Sequence, residues 1–347
     1  MREIKVIILF LAMVFLYPAK NSPAAVIFET NFDAHADWNT NGQYDGEECS
    51  VRGYSNSANL CNAGDYPADW EAFRSVPFNP GSPMVSIRRL PESLADHTGT
   101  GTGKAAVFYN HADPDFGGGW PGDALLVKHF GGNTYPELYV QLWIRTQAGW
   151  HWAAVGSTVG TPEFKFWRVG YWRGLSSANQ NIFYIADSHP GMIMMMNHSG
   201  TNGDGITHAY RCDPNDYYCE NISNSYQKMD YPYATATWSD GNWHRFKYHI
   251  KLNTAGSYNG VMEVWQDGNL VYQHTDVMWK ESGSTAPGFT HVMFGGNSDN
   301  PWANPGEQWY AVDDIVISTT DIPDNYIPGG GQAETTAPAT PRNLTIR

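Results

Sequence analysis

Ten residues constrain the fold of this chain more than any others. From Trp243 to Leu252, Phe246, Tyr248, Ile250 and Leu252 alternate strictly with Arg245, Lys247, His249 and Lys251. Period-two alternation is the pattern of a half-buried strand, because successive side chains leave opposite faces of a sheet. One face is apolar and belongs in a core; the other is a row of basic residues in a chain of formal net charge −14. Asn259-Gly260 and Asp267-Gly268 follow. Such pairs accept the positive φ angles of tight reversals, so three adjacent antiparallel strands are predicted at 243–252, 261–266 and 270–274. They form the centre of a large β-sandwich with a polar face.

The rest of the composition agrees with an all-β chain. Charged residues make up 16% and aromatics 14%, with 35 Gly and 21 Pro among 347 residues. That mixture suits many short strands joined by turns. The acidic balance argues against nucleic acid or an anionic membrane as partner. Arg2 and Lys5, the short apolar run Val6–Leu16 and the small residues Ser22-Pro23-Ala24 read as a signal peptide over 1–24, which predicts secretion to an extracellular or periplasmic space with no membrane attachment after cleavage. In an exported protein Cys49, Cys61, Cys212 and Cys219 are expected as disulfides. The close spacings favour Cys49–Cys61 and Cys212–Cys219, although four cysteines permit three connectivities.

Mature sequence is expected from Ala25, with one domain over 25–320. Asp37, Asn39, Asn41, Gln43, Asp45 and Glu48 fit the spacing of a calcium loop with Gly42 at its bend, so a structural Ca2+ is one reading and a polar surface turn the other. Between Cys49 and Pro91 no periodicity is evident, and a long loop region is expected. Leu138–Arg145 is a second clean alternator: Leu138, Val140, Leu142 and Ile144 oppose Tyr139, Gln141, Trp143 and Arg145. Further strands are expected at 26–32, 105–109, 125–130, 163–171, 182–186, 192–197, 291–295 and 309–318, and a loop at 202–233. Residues 321–347 read as a linker and a tail resembling the start of a fibronectin type III module.

Two passages carry a family resemblance. Trp243 onward, with Leu252-Asn253-Thr254, Asn259-Gly260, Glu263-Val264-Trp265 and Asp267-Gly268, resembles the strand block of concanavalin A-like jelly-roll proteins. Glu137–Arg145 followed by Pro162-Glu163-Phe164-Lys165 is similar to a block in jelly-roll polysaccharide lyases of the alginate and glucuronan lyase type. The resemblance implies a jelly-roll β-sandwich of two antiparallel sheets, and an exported protein acting on an acidic polysaccharide as a lyase. It also implies a functional role for Lys165.

β-Elimination from a uronic acid polymer needs a cation or amide to neutralise the carboxylate, a base for the α-proton and an acid for the leaving oxygen. The polar faces of the two alternators offer such groups. His249 is expected as base, Tyr139 as acid, and Arg145, Lys165 and Gln141 as carboxylate binders. Arg245, Lys247, Lys251, Trp143 and Trp167 are expected to hold neighbouring sugars, the flat rings stacking on sugar faces. A glycoside hydrolase would need paired carboxylates; no Glu-x-Asp-x-(x)-Glu strand motif is present, and Glu263 has no partner at matching spacing. The alternative to a lyase is a non-catalytic carbohydrate-binding or adhesion domain.

Overall fold

The computed structural model describes residues 26–39, 67–70, 72–75, 85–90, 103–110, 122–149, 163–170, 180–186, 191–196, 219–222, 226–229, 240–277, 279–280, 282–299 and 308–329, some of the strands by their backbone alone. All regular structure among these residues is strand, arranged in two sheets. The first contains β1 (Val26–Thr30), β2 (Trp38–Asn39), β4 (Val85–Arg89), β5 (Lys104–Asn110), β7 (Glu137–Thr146), β13 (His244–Lys251), β14 (Gly260–Gln266), β15 (Asn269–Val277) and β17 (Gln308–Ser318). The second contains β3 (Ala72–Ser75), β6 (Gly122–His129), β8 (Glu163–Gly170), β9 (Gln180–Ala186), β10 (Gly191–Met196), β11 (Cys219–Ile222), β12 (Tyr226–Met229) and β16 (His291–Asp299). The orders are β15-β14-β13-β7-β17-β5-β4-β2, with β1 also on β17, and β11-β12-β10-β9-β8-β16-β6-β3. Consecutive strands commonly sit far apart or in different sheets, the connectivity of a jelly-roll sandwich.

The two alternators are neighbours at the middle of the first sheet. β7 and β13 pair antiparallel with Tyr248 opposite Val140 and His249 opposite Tyr139. Leu138, Val140, Leu142 and Ile144 meet Phe246, Tyr248 and Ile250 in one buried cluster, as their spacing predicts. The second sheet closes that cluster with Trp167, Val169, Val292 and Phe294, and Trp167 rests on Tyr248 with ring centroids 4.7 Å apart. Burying each such side chain contributes about 1.5–3 kcal/mol, so this face commits the strands to the sandwich.

β17 changes face at a bulge. Tyr310 and Val312 point into the core before it, Ile315 and Ile317 after it, and the register against β7 shifts between Asp313 and Val316. Asp314 takes φ 45° there, a conformation that Asp tolerates better than most residues.

Asp267-Gly268 forms the expected two-residue reversal: both residues have positive φ, and Gln266 pairs with Asn269. Asn259-Gly260 does not. The link from β13 to β14 is eight residues long, 252–259, and Asn259 closes it by accepting from the Thr254 amide at 2.8 Å. Gly260 is instead a strand residue whose missing Cβ makes room for Trp279, 2.6 Å from where that atom would stand. The expected loop at 49–91 contains β3 and β4, and the expected loop at 202–233 contains β11 and β12. All four strands are four or five residues long, too short for periodicity to declare them.

Candidate functional site

The face of the first sheet turned away from the core gathers most of the predicted site residues. It is a neutralised layer, not an open basic floor. His249 sits between two carboxylates, its Nδ1 2.7 Å from Glu263 Oε2 and its Nε2 2.8 Å from Glu137 Oε1. Carboxylates only accept, so the arrangement is complete when both ring nitrogens donate. The Tyr139 ring lies flat on the imidazole, with centroids 4.2 Å apart. Lys251 Nζ pairs with Glu137 Oε2 at 3.1 Å, and Gln273 Nε2 donates to Glu263 Oε1 at 2.5 Å. A polar ladder thus crosses β7, β13, β14 and β15. Both ring nitrogens are engaged by the chain's own carboxylates and neither is directed at a substrate proton, so the expected base role for His249 does not fit this geometry. Burial, with the charges of Glu137, Asp321 and Glu263, pushes the Tyr139 hydroxyl up to about 12. Burial acts to raise Glu137, but the hydrogen bonds and charges of His249 and Lys251 prevail and hold it below the ordinary carboxylate value.

Farther along the same face the chain covers its own cations. Lys247 Nζ donates to Asp321 Oδ1 at 2.9 Å and to the Ile322 carbonyl at 3.2 Å, and lies 4.7 Å from the Trp265 ring centre. Arg245 pairs with Asp324 at 3.1 Å. Arg145 donates from Nε to the Gly241 carbonyl at 2.5 Å and stacks over Trp309 at 5.5 Å. Gln141 is fully buried, and neither amide atom has a hydrogen-bond partner among the described residues. Trp143 is partly buried on this face, opposite Arg245 on β13 and Asp313 on β17.

Lys165 and Trp167 are elsewhere. Both belong to β8 in the second sheet, where Lys165 pairs with Tyr184. Trp167 is a core residue, not a sugar platform. Lys165 is thus carried by the opposite sheet from His249 and Arg145, across a sandwich core on the order of 10 Å thick.

The second sheet brings forward residues that the sequence did not single out. Arg168 and His291 leave the opposite sides of their strands from Trp167, Val169 and Val292, and both are buried, with 5% and 1% of their surface exposed. His291 pairs with Gly170 on one side and His129 on the other. Burial, with the charge of His129 beside it, pushes the His291 imidazole down to about 3; burial and Lys128 lower His129. Both rings are therefore neutral near pH 7. Nothing in a strand of mixed aromatic and basic residues marked Arg168 in advance. Glu137 and Glu263 were missed as partners because they meet across three strands, not along one.

Of the calcium pattern, Asp37 and Asn39 are described. Asp37 Oδ1 pairs with Lys104 Nζ at 3.0 Å. Asn41, Gln43, Asp45 and Glu48 lie outside the described residues, as do Cys49, Cys61 and Cys212, the side chain of Cys219, the segment 1–25 and the tail 330–347. No group of metal-ligating side chains occurs among the described residues.

Residues 194–315 match the polysaccharide lyase 14 family. The match spans about a third of the chain, from within β10 into β17, and bears out the expected resemblance to jelly-roll polysaccharide lyases. No curated protein matches. Among solved structures, the chain is similar to an endo-β-1,4-glucuronan lyase from the fungus Trichoderma reesei, with 14% identity, TM-score 0.47, and coverage of 73% of this chain and 92% of that one. It is also similar to a marine alginate lyase from Aplysia kurodai, with 10% identity, TM-score 0.47, and coverage of 68% and 87%. A third is the alginate lyase vAL-1 from a Chlorella virus, with 12% identity, TM-score 0.45, and coverage of 78% and 99%.

Proposed function

We propose that the protein is an exported polysaccharide lyase that cleaves a uronic-acid-containing polymer by β-elimination. The observation that carries this reading is the match of residues 194–315 to a polysaccharide lyase family. In the reaction a base removes the proton α to the uronate carboxylate, the bond from the β-carbon to the glycosidic oxygen breaks as the ring double bond forms, and the leaving oxygen takes a proton. The step costs least where a cation neutralises the carboxylate, because charge builds on its oxygens in the transition state.

Catalysis is assigned to the second sheet. The outer face of the first is self-neutralised, and its histidine is committed at both nitrogens. β8 carries Lys165 and Arg168, and these are the proposed carboxylate-neutralising residues.

Incubating the protein with alginate, glucuronan and related polyuronates tests the reading. Ultraviolet absorbance should rise as unsaturated chain ends form. Arg168→Ala and Lys165→Ala should each lower the rate by about 100-fold or more, the scale of losing one preorganised electrostatic contact. A folded protein that retains these polymers without any rise in absorbance is a binding module, and the lyase reading is then abandoned. Export is tested separately: the amino terminus of the secreted protein should lie near Ala25.

A further inference from the structure

On the outer face of the first sheet, among the described residues, Lys247 and Arg245 are covered by the chain's own acids. Lys247 and Arg245 are built in, with 6% and 9% of their side-chain surface exposed, whereas their partners Asp321 and Asp324 are 64% and 53% exposed. Cations held this way are fixed in place; the anions arrive from outside. We propose that this face is a second binding surface for the acidic polymer, shut in this structure by the segment 319–326, whose carboxylates occupy the places of uronate carboxylates. The class of polymer rests on the reading above; the location does not.

Three features support the assignment. Lys247 is aimed by the Trp265 ring beneath it and reached by two aspartates, Asp321 at 2.9 Å and Asp324 at 3.6 Å, so it already sits in a site for more than one carboxylate. Its cross-strand neighbour Gln141 is a fully buried amide with a donor and an acceptor unused among the described residues. Buried amides are almost always satisfied, and a sugar hydroxyl or carboxylate beside Lys247 would use both groups. The segment itself is a short strap. It leaves β17 through a turn in which Ser318 Oγ accepts from the Thr320 amide at 3.1 Å, and it is anchored by buried Ile322. Ion pairs whose acidic partners are largely in water hold weakly, and a polymer presenting many carboxylates competes with them through its local concentration.

The test compares Asp321→Asn/Asp324→Asn with the native sequence at those positions, both carrying Arg168→Ala so that the polymer is not cleaved during the titration, in binding to polyguluronate and to a neutral β-glucan, by calorimetry at low salt. The double variant should bind the polyuronate about tenfold tighter, the shift expected when a competing internal ligand is removed. It should not gain on the neutral polymer, and Lys247→Gln in the same background should cancel the gain. Asp37→Asn/Asp69→Asn, which makes the same change in net charge at another part of the surface, should move affinity much less. A second measurement uses the unaltered protein: backbone amides of 321–326 should exchange with deuterium faster when polyguluronate is bound. No gain, a gain matched by Asp37→Asn/Asp69→Asn or kept with Lys247→Gln, or unchanged exchange overturns the proposal. If the double variant fails to fold, the exchange measurement decides alone. A protein without lyase activity that passes both arms overturns only the lyase reading; an active lyase that fails them overturns only this surface.

Discussion

The Tyr139 ring lies parallel to the His249 imidazole, with planes 3° apart and centroids 4.2 Å apart, across the β7–β13 junction. The ring closes one face of the imidazole while Glu137 and Glu263 hold its two ends. His249 is thereby fixed in position and in its hydrogen bonding. It joins the strands of the first sheet at the point where their inner faces carry the core.

The first prediction concerns that cross-link. In His249→Ala, two carboxylates face each other with their shared donor gone. Removing one partner of a buried ion pair costs about 3–5 kcal/mol, and the partial exposure of Glu137 and Glu263 reduces this to about 1–3 kcal/mol. Chemical denaturation should show the loss, while the rate of uronate elimination per folded molecule stays near the wild-type value. A rate loss of several hundred-fold at full foldedness would return His249 to the chemistry.

Two other histidines bracket the pH range of stability. Burial acts to lower His244, but its hydrogen bond to Asp267 and the charges of Asp267 and Asp240 raise it above its ordinary 6.5. A raised folded value means that its contribution is complete below pH 6.5 and lost as pH rises through that raised value. The stability difference between wild type and His244→Gln should therefore shrink on the alkaline side. His291 has the opposite sign: its folded value is about 3, so the unfolded chain takes the proton first, and stability falls as pH drops from 6.5 toward 3. Glu137 adds to that acid loss, since its depressed value makes its contribution present above 4.5 and lost below. Melting temperatures across pH 4–9 check both arms, and His291→Gln should flatten the acid one.

The two long alternators were legible in sequence because each buries a complete face, and burial on one side imposes period two. Their apolar partners in the core followed without further information. The chemistry of the opposite face was not legible, because alternation says which side a residue leaves and nothing about what meets it there. Lys247 read as a cation offered to a ligand; Asp321, seventy-four residues later, already holds it. Glu263 read as a lone carboxylate, yet Glu137 stands beyond the same imidazole from a strand far away in sequence. Lys165 was grouped with His249 by resemblance, and only the strand order reveals that β8 belongs to the second sheet. The bulges at Asp313–Asp314 and in β8 leave no mark in a binary pattern, although each changes which face the following residues take.

Gly295 tests the closeness of the two sheets. A Cβ there would collide with the Ala124 carbonyl and the ring of Phe108, and the residue has φ +94°, a conformation nearly reserved for glycine. Phe108 belongs to β5 and Gly295 to β16, so the glycine lets a strand of one sheet approach a ring from the other. Gly295→Ala should cost about 3 kcal/mol or more through overpacking and backbone strain together. Denaturant unfolding against Gly131→Ala, a glycine of positive φ with open space where its Cβ would stand, provides the comparison. Equal losses at both positions would mean that sheet contact is not the cause.

Gln141 sets stability against binding. Gln141, a buried amide with no partner among the described residues, carries a desolvation penalty of about 1–3 kcal/mol, whereas an apolar side chain of similar size carries none. Gln141→Met should therefore stabilise the protein, raising the melting temperature by roughly 1–2 °C for each kcal/mol recovered. That such a costly group stands beside Lys247 is the kind of local inconsistency that marks a site kept for a ligand. If so, Gln141→Met in the Asp321→Asn/Asp324→Asn background melts higher and binds polyguluronate more weakly than that background alone. A variant that is no more stable than the wild type means that the amide is already satisfied in solution, and a buried water between Gln141 and Lys247 then becomes the simpler account.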